Sequence, residues 1–200
     1  MTRLQPLSGN LLISPNILLG AYSIGYFPMA DEAGSIAWYS PDPRAIIPLD
    51  NYNIPRSTQQ LIRKRLFSIE TDRAFESTMR GCASRDETWI SEEIIESYTE
   101  LHRLGYAHSV ESYDADGLAG GLYGVALGSA FFGESMFSRK EGASKVALAF
   151  LMNHLKERGF TLLDTQYITE HLKMFGTIEI ARDEYLLRLR EAMKNAAAFR

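Results

Sequence analysis

The chain has 200 residues, 46% of them hydrophobic and 23% charged, with a formal net charge of -4. Such a composition excludes a disordered chain and supplies a sizeable core, in one domain or in a main domain carrying a small one. The negative balance argues against indiscriminate nucleic-acid binding, so any polyanion site must be a local patch; residues 1–66 hold six Lys/Arg against four Asp/Glu, the remainder fifteen against twenty-one.

Cys82 is the single cysteine, which rules out an intramolecular disulfide framework. With no signal-peptide pattern and no long apolar run, the expectation is a cytoplasmic protein without a membrane span. The histidines at 102, 108, 154 and 171 lack metal-ligand spacing, so no metal is expected.

Ser14-Pro15 predicts a helix start, a side-chain cap followed by proline at the first helical position. Ile17, Leu18, Ala21 and Ile24 give that helix an apolar face, and Gly25 supplies a left-handed stop. Tyr26 to Met29 reads as an extended segment, followed by a loop from Asp31 to Ser35. The two prolines in the segment from Ala37 to Arg44 predict a fixed irregular connector. This proline-punctuated region is expected to form a small N-terminal lobe over residues 1–53, ahead of a main domain over 54–200.

Pro55 to Arg65 predicts a basic helix that buries Leu61 and Ile62 and presents Arg56, Arg63, Lys64 and Arg65 on or near its wet face. Such a charge run is either a solvated surface or a polyanion contact. Phe67 to Thr71 reads as a strand, and Asp72 as the cap of a helix with Phe75 and Met79 on one face. Cys82 to Arg85 and Glu87 to Ile90 read as a loop, in which Trp89 is either a core plug or a ligand platform. Ser91 caps the next helix, where Glu92 and Glu93 favour the dipole's positive end, Ile94, Ile95, Tyr98 and Leu101 pack, and Gly105 terminates.

Asp116-Gly117 is a strong hairpin signal and Leu127-Gly128-Ser129 a second turn, which together predict a three-stranded meander. Gly120, Gly121 and Gly124 inside it mark either a bulge or a close approach to the backbone. Ala143 to Arg158 follows as an amphipathic helix with Leu148, Leu151 and Leu155 on one face, ended by Gly159. A strand over Phe160 to Gln166, a short helix over Glu170 to Phe175, a strand over Ile178 to Ile180 and a last helix from Asp183 to about Ala197 complete the chain.

Alternation places Phe160, Leu162, Asp164 and Gln166 on one side of their strand, so an apolar side turns polar where the strand ends. By the same rule Phe132, Glu134 and Met136 share a face. A buried acid is costly unless it is paired, so Glu134 and Asp164 are each either structural or functional. The order of meander, helix, strand, helix and strand resembles the N-acetyltransferase (GNAT-type) fold, an α+β architecture with a mixed sheet flanked by helices. The Arg/Gln-x-x-Gly-x-Gly/Ala loop that holds acetyl-CoA in those enzymes is missing, which implies another acyl donor.

Nine segments in register carry a closer resemblance: Tyr-Phe-Pro (26–28), Trp-Tyr-Ser-Pro-Asp-Pro-Arg (38–44), Gly-Cys-Ala (81–83), Thr-Trp-Ile (88–90), Leu-Gly-Tyr-Ala-His-Ser-Val-Glu (104–111), Gly-Gly-Leu-Tyr-Gly-Val-Ala (120–126), Gly-Glu-Ser-Met-Phe-Ser (133–138), Ala-Ser-Lys (143–145) and Leu-Asp-Thr-Gln (163–166). From about Asn10 to Tyr185 the chain resembles the leucyl/phenylalanyl-tRNA–protein transferases. The resemblance implies transfer of leucine or phenylalanine, with methionine a further donor, from aminoacyl-tRNA to an N-terminal Arg or Lys, marking the acceptor protein for degradation. It implies no cofactor beyond that co-substrate. Asp164 and Gln166 match the pair proposed to orient and activate the acceptor amine, Asp164 polarising Gln166, and their i, i+2 spacing is expected to bring both side chains out together.

Leu122, Phe131, Leu148, Leu151, Leu155 and Leu163 match the family's apolar pocket, Glu134 the acid beside it that meets the donor's ammonium, and Trp89 the platform near the terminal adenosine. Met29 stands where many relatives carry tryptophan. Arg56, Arg63, Lys64 and Arg65 become candidate contacts to the tRNA acceptor stem. Three rivals remain: an enzyme moving arginine onto acidic N-termini, an acetyl-CoA-dependent N-acetyltransferase, and a non-catalytic binder of N-terminal residues or tRNA ends.

Overall fold

The computed structural model describes residues 2–7 by their main chain, and residues 12–30, 35–84 and 88–200 in full. Most of the expected loop from Asp31 to Ser35, and residues 85–87 of the expected loop around Trp89, lie outside them. The described chain opens with β1 (Thr2–Leu7) and α1 (Pro15–Ser23). Ser14 caps α1 through its side chain, with Pro15 in the first turn, and Gly25 at φ 85° follows its end. The face that α1 buries is Leu18 and Tyr22, whereas Ile17 and Ile24 stay 49% and 60% exposed. Of this i, i+4 pair, Tyr22 lies with its ring centroid 4.8 Å from that of Phe132.

β2 (Phe27–Ala30) and β3 (Ile36–Ser40) join β1 in a three-stranded antiparallel sheet of order β1-β3-β2. The connector expected over Ala37 to Arg44 is therefore half strand; only Pro41 to Pro43 is irregular, with a cis Asp42-Pro43 bond. Arg44 then opens β4 (Arg44–Ile47), four consecutive buried residues. Burial on both faces removes the alternation by which a strand is recognised, which is why sequence reasoning passed over it.

In α2 (Arg56–Arg63) the buried residue is Thr58, Leu61 is half-buried, and Ile62, expected inside, is exposed. After β5 (Ser68–Thr71), Asp72 at φ 58° stands outside α3 (Phe75–Ala83), whose N-cap is Ala74. The Asp72 carboxylate does not cap this helix. It accepts the Ser109 amide at 2.9 Å and lies 2.8 Å from His108 Nδ1, tying β5's exit to the neighbouring strand. Cys82 and Ala83 belong to α3 and not to a loop. In α4 (Glu92–Arg103) the Ser91 cap, the buried Ile94, Ile95, Tyr98 and Leu101, and the Gly105 stop at φ 82° all lie where sequence places them.

β6 (Ala107–Asp114), β7 (Gly117–Leu127) and β8 (Ala130–Ser138) form the meander. α5 (Ala143–Glu157) crosses to β9 (Leu162–Gln166), followed by α6 (Glu170–Lys173), β10 (Ile178–Ile180) and α7 (Arg182–Lys194). The result is a mixed α+β sheet of seven strands, β10-β4-β9-β8-β7-β6-β5, in which β8 and β9 run parallel and the other neighbours antiparallel. Alternate residues feed two cores: Tyr123, Val125 and Phe132 pack with Tyr22, Met79 and Tyr98 on one face, and Leu122 and Phe131 with Leu148, Leu151 and Leu155 on the other.

Two irregularities place the functional region. Gly124 pairs with Gly133 but Tyr123 with Ser135, so Glu134 bulges out of β8. Ile46 pairs with Asp164 but Ala45 with Gln166, so Thr165 bulges out of β9. The parallel pairing of the two strands ends at Phe132 opposite Asp164, and beyond that point they part. Glycine at 124 allows the close approach as well as the bulge: a Cβ there would lie 2.3 Å from the Phe132 carbonyl oxygen and 2.4 Å from the Phe131 ring.

Candidate active site

A cleft of about 640 Å³ opens where β8 and β9 separate. Seven residues singled out from the sequence line it together: Trp89, Leu122, Glu134, Leu148, Leu151, Leu163 and Gln166. Phe131 and Leu155 lie behind the leucines, fully buried in the same apolar cluster. Arg56, Arg63, Lys64 and Arg65 are exposed on or just after α2, outside the cleft. Phe27 and Met29 line the cleft from β2, and Met136, Phe137, Thr165, Tyr167, His171 and Leu172 complete much of the wall.

The bulge leaves Glu134 on the face of Phe132 and moves the residues beyond it to the other. Glu134 Oε1 accepts the Tyr22 hydroxyl at 2.6 Å, and Tyr22 is hydrogen-bonded in turn to the Tyr98 hydroxyl. Phe132 and Glu134 thus face the core of α1 and α4, while Met136, expected to share their face, packs against the α5 cluster. Burial pushes the Glu134 carboxyl up to about 8, and the nearby Asp164 carboxylate adds to that shift, against the opposing Tyr22 hydrogen bond and Arg44 charge. A carboxyl in that state has most to gain from an arriving cation, whose charge replaces the lost hydration.

Asp164 lies behind the wall, with no exposed surface. It accepts Arg44 Nε at 2.9 Å and Arg44 Nη2 at 2.5 Å, the Tyr185 hydroxyl at 2.8 Å and the Gln166 main-chain N–H at 2.9 Å. Arg44 Nη1 donates to the Gly25 carbonyl at 3.1 Å, and the guanidinium carbon sits 4.9 Å and 4.4 Å from the Phe27 and Tyr185 ring centroids. Burial alone would favour a neutral guanidine, yet the adjacent Asp164 carboxylate holds Arg44 above its usual range, and the two side chains form a buried salt bridge.

Gln166 takes φ 58°, the left-handed region, held there by the hydrogen bond from its N–H to Asp164. The i, i+2 alternation is broken at this point: the Gln166 side chain faces the cleft while Asp164 faces Arg44 and Tyr185. Asp164 thereby acts on the Gln166 backbone rather than its amide. Thr165 Oγ1, Gln166 Nε2 and His171 Nε2, all of cleft-lining residues, are buried without a hydrogen-bond partner among the described residues. Unmade hydrogen bonds of this kind are costly, and three of them fall within this one wall.

Sequence reasoning missed Arg44, Tyr22, Tyr98 and Tyr185. Arg44 stands in a quoted motif directly before three apolar residues, a position where a charge signals a buried partner. Tyr98 is legible from sequence only as packing surface, and nothing in the sequence gives the direction of the three tyrosine hydroxyls. Among the described residues no group of three or more His, Cys, Asp or Glu is arranged to hold a metal ion, and no helix is long and apolar enough to cross a membrane.

Comparison with known proteins places the chain among the aminoacyltransferases. Residues 46–190 match the family described as Leucyl/phenylalanyl-tRNA protein transferase, and residues 12–42 match that family's N-terminal domain. The chain belongs to this family. A leucyl/phenylalanyl-tRNA–protein transferase of Rubrobacter xylanophilus is 50% identical over 94% of the chain and 98% of the relative. One from Salinibacter ruber is 52% identical over 90% of the chain and 80% of the relative. Among solved structures, the L-PGS of Bacillus licheniformis aligns at 14% identity over 74% of this chain and 52% of the other, with a TM-score of 0.43. A likeness at that level adds nothing to the functional reading.

Proposed function

We propose that this protein moves leucine or phenylalanine from an aminoacyl-tRNA to the N-terminal Arg or Lys of a cytoplasmic acceptor protein, marking it for degradation. The reaction is aminolysis of the ester at the tRNA 3′ end: the acceptor nitrogen bonds to the carbonyl carbon and the ribose oxygen leaves. The observation that carries the reading is the meeting, in one cleft, of an apolar hollow of Leu122, Leu148, Leu151 and Leu163 with a polar wall of Glu134 and Gln166.

In this reading the donor side chain fills the hollow, backed by Phe131 and Leu155. Such a pocket separates aliphatic neighbours by only about 1–3 kcal/mol per methylene, so several large apolar donors, methionine included, are acceptable. Trp89 stacks on the terminal adenosine, an interaction of roughly 1–3 kcal/mol per base. Glu134 receives the donor's ammonium. Gln166 orients the acceptor amine, and Asp164 fixes Gln166 from behind. An amide is too weak a base to remove a proton, but a terminal amine with a pKa of about 7.7–8.0 is already partly neutral, so positioning supplies most of the rate. Arg56, Arg63, Lys64 and Arg65 lie along the acceptor stem.

The same reading takes residues 1–53 as a small lobe and 54–200 as a GNAT-like catalytic domain, with β4 of the first part inserted in the sheet of the second. An acetyl-CoA-dependent reaction is disfavoured by the start of α5, where a pyrophosphate would need free amides. The Ala143 N–H donates to the Lys140 carbonyl at 3.1 Å and the Ser144 N–H to Ser138 Oγ at 2.9 Å. An arginine donor would bring its guanidinium into a hollow walled by leucines.

The test is incubation with a peptide beginning in Arg and tRNAs charged separately with Leu, Phe, Met or Arg, read by mass spectrometry. The expected product is the peptide heavier by one leucine or phenylalanine residue. Arginine added to a peptide beginning in Asp or Glu would overturn the donor assignment, and an acetylated peptide formed from acetyl-CoA would overturn the reaction.

A further inference from the structure

Resting on the transfer reading above, we infer that Arg139 is a phosphate-binding residue at the cleft mouth, gripping the 3′-terminal phosphodiester of the donor tRNA as its last nucleotides enter. Arg139 follows β8 directly and lines the cleft, with its side chain open to solvent. Three contacts hold it in place. Its main-chain N–H donates to the Ala119 carbonyl at 2.7 Å, its Nη1 to the Leu118 carbonyl at 3.2 Å, and its guanidinium carbon lies 5.4 Å from the Phe137 ring centroid. Phe137 is itself pinned, since its ring lies so close to Gly81 that a Cβ there would come within 2.8 Å of three of its carbons.

What separates Arg139 from its neighbours is the lack of a carboxylate partner among the described residues. Lys140 beside it lies 2.8 Å from Asp116 and 3.9 Å from Asp114, and Arg80 on α3 lies 2.9 Å from Glu76 and 2.7 Å from Glu92. A guanidinium held by the Leu118 carbonyl and an aromatic face, and left without a carboxylate among the described residues, is arranged for an anionic ligand that arrives from outside. The start of α5 cannot take that role in its place, because its Ala143 and Ser144 amides are already engaged.

Arg139 also joins the cleft to α2. Leu61 packs over Gly142, so closely that a Cβ on that glycine would meet it at 2.2 Å, which seats α2 against the loop that begins at Arg139. The helix adjoining Arg139's loop is thus the one that carries Arg56, Arg63, Lys64 and Arg65, exposed on it or just after it.

The test compares wild type, Arg139→Ala and Arg139→Lys on two donors: Phe-tRNA, and the phenylalanyl ester of adenosine, which carries no phosphate. Arg139→Ala should raise KM for Phe-tRNA roughly 10-fold with kcat little changed, since one charge-assisted contact is lost. The steepness of log KM against log salt should fall by about 0.7–1. Transfer from the adenosine ester should stay within about twofold of wild type, and Arg139→Lys should keep most of the salt dependence. Equal loss with both donors would mean a structural role, and no loss with Phe-tRNA would mean no contact; either overturns the inference. Failure of wild type to use any donor would instead remove the reading on which it rests.

Discussion

Arg44→Ala is expected to destabilise the protein by about 3–5 kcal/mol, measured by urea unfolding, because it leaves the Asp164 carboxylate buried and unpaired. Both side chains are essentially without solvent contact, and the two shared hydrogen bonds at 2.9 Å and 2.5 Å have no water to replace them. Against a total stability of about 5–15 kcal/mol for a domain, that loss is a large fraction. The cost lies in the stranded charge rather than in the value of the pair itself. The double replacement Arg44→Met with Asp164→Leu should therefore recover much of the stability, as paired removals of buried ions do. It should not recover transfer activity, since the hydrogen bond from the Gln166 N–H to Asp164 that holds Gln166 at φ 58° is gone. Recovery of both properties would show that the ion pair has no part in shaping the cleft.

The second large effect is on rate. Gln166→Ala is expected to lower kcat by about 10²–10³, the loss typical of removing one polar group aimed at a reacting centre. KM for the donor should change little, because the hollow and the Trp89 platform are untouched. Stability should hold or rise slightly, since the deleted Nε2 has no partner to lose among the described residues. Gln166→Gly sharpens the contrast, because a left-handed residue other than glycine costs roughly 1–2 kcal/mol. That variant should be at least as stable as wild type and still nearly inactive. A Gln166→Gly protein with normal kcat would remove Gln166 from the mechanism.

The parts of the fold that were readable from sequence are those with local causes. Ser14 and Ser91 cap their helices, Gly105 and Gly159 end theirs with positive φ, and Gly128 turns the second hairpin. The parts that were not readable depend on partners distant in sequence. β3 and β4 were hidden by prolines and by burial on both faces. The two bulges arise only when β7 meets β8 and β4 meets β9, and no local pattern announces them. Those bulges decide the site: they put Met136 on the face opposite Glu134, and separate the Asp164 and Gln166 side chains that simple alternation puts together. Asp72, read as a helix cap, instead serves His108 and Ser109 on β6, a bond formed across 36 residues of chain. Residue types at the cleft were legible through the resemblance of their motifs to the family; their directions were not.

The central claim is that the gap between β8 and β9 holds the aminoacyl-adenosine end of the donor. It is tested most directly by a crystal structure with a non-reactive analogue in which phenylalanine is joined to adenosine through an amide. The account predicts the phenyl ring between Leu148 and Leu151, the adenine against Trp89, and the analogue's ammonium at Glu134. An analogue bound elsewhere, or with its phenyl ring outside the leucine hollow while Trp89 and Glu134 remain untouched, would contradict it.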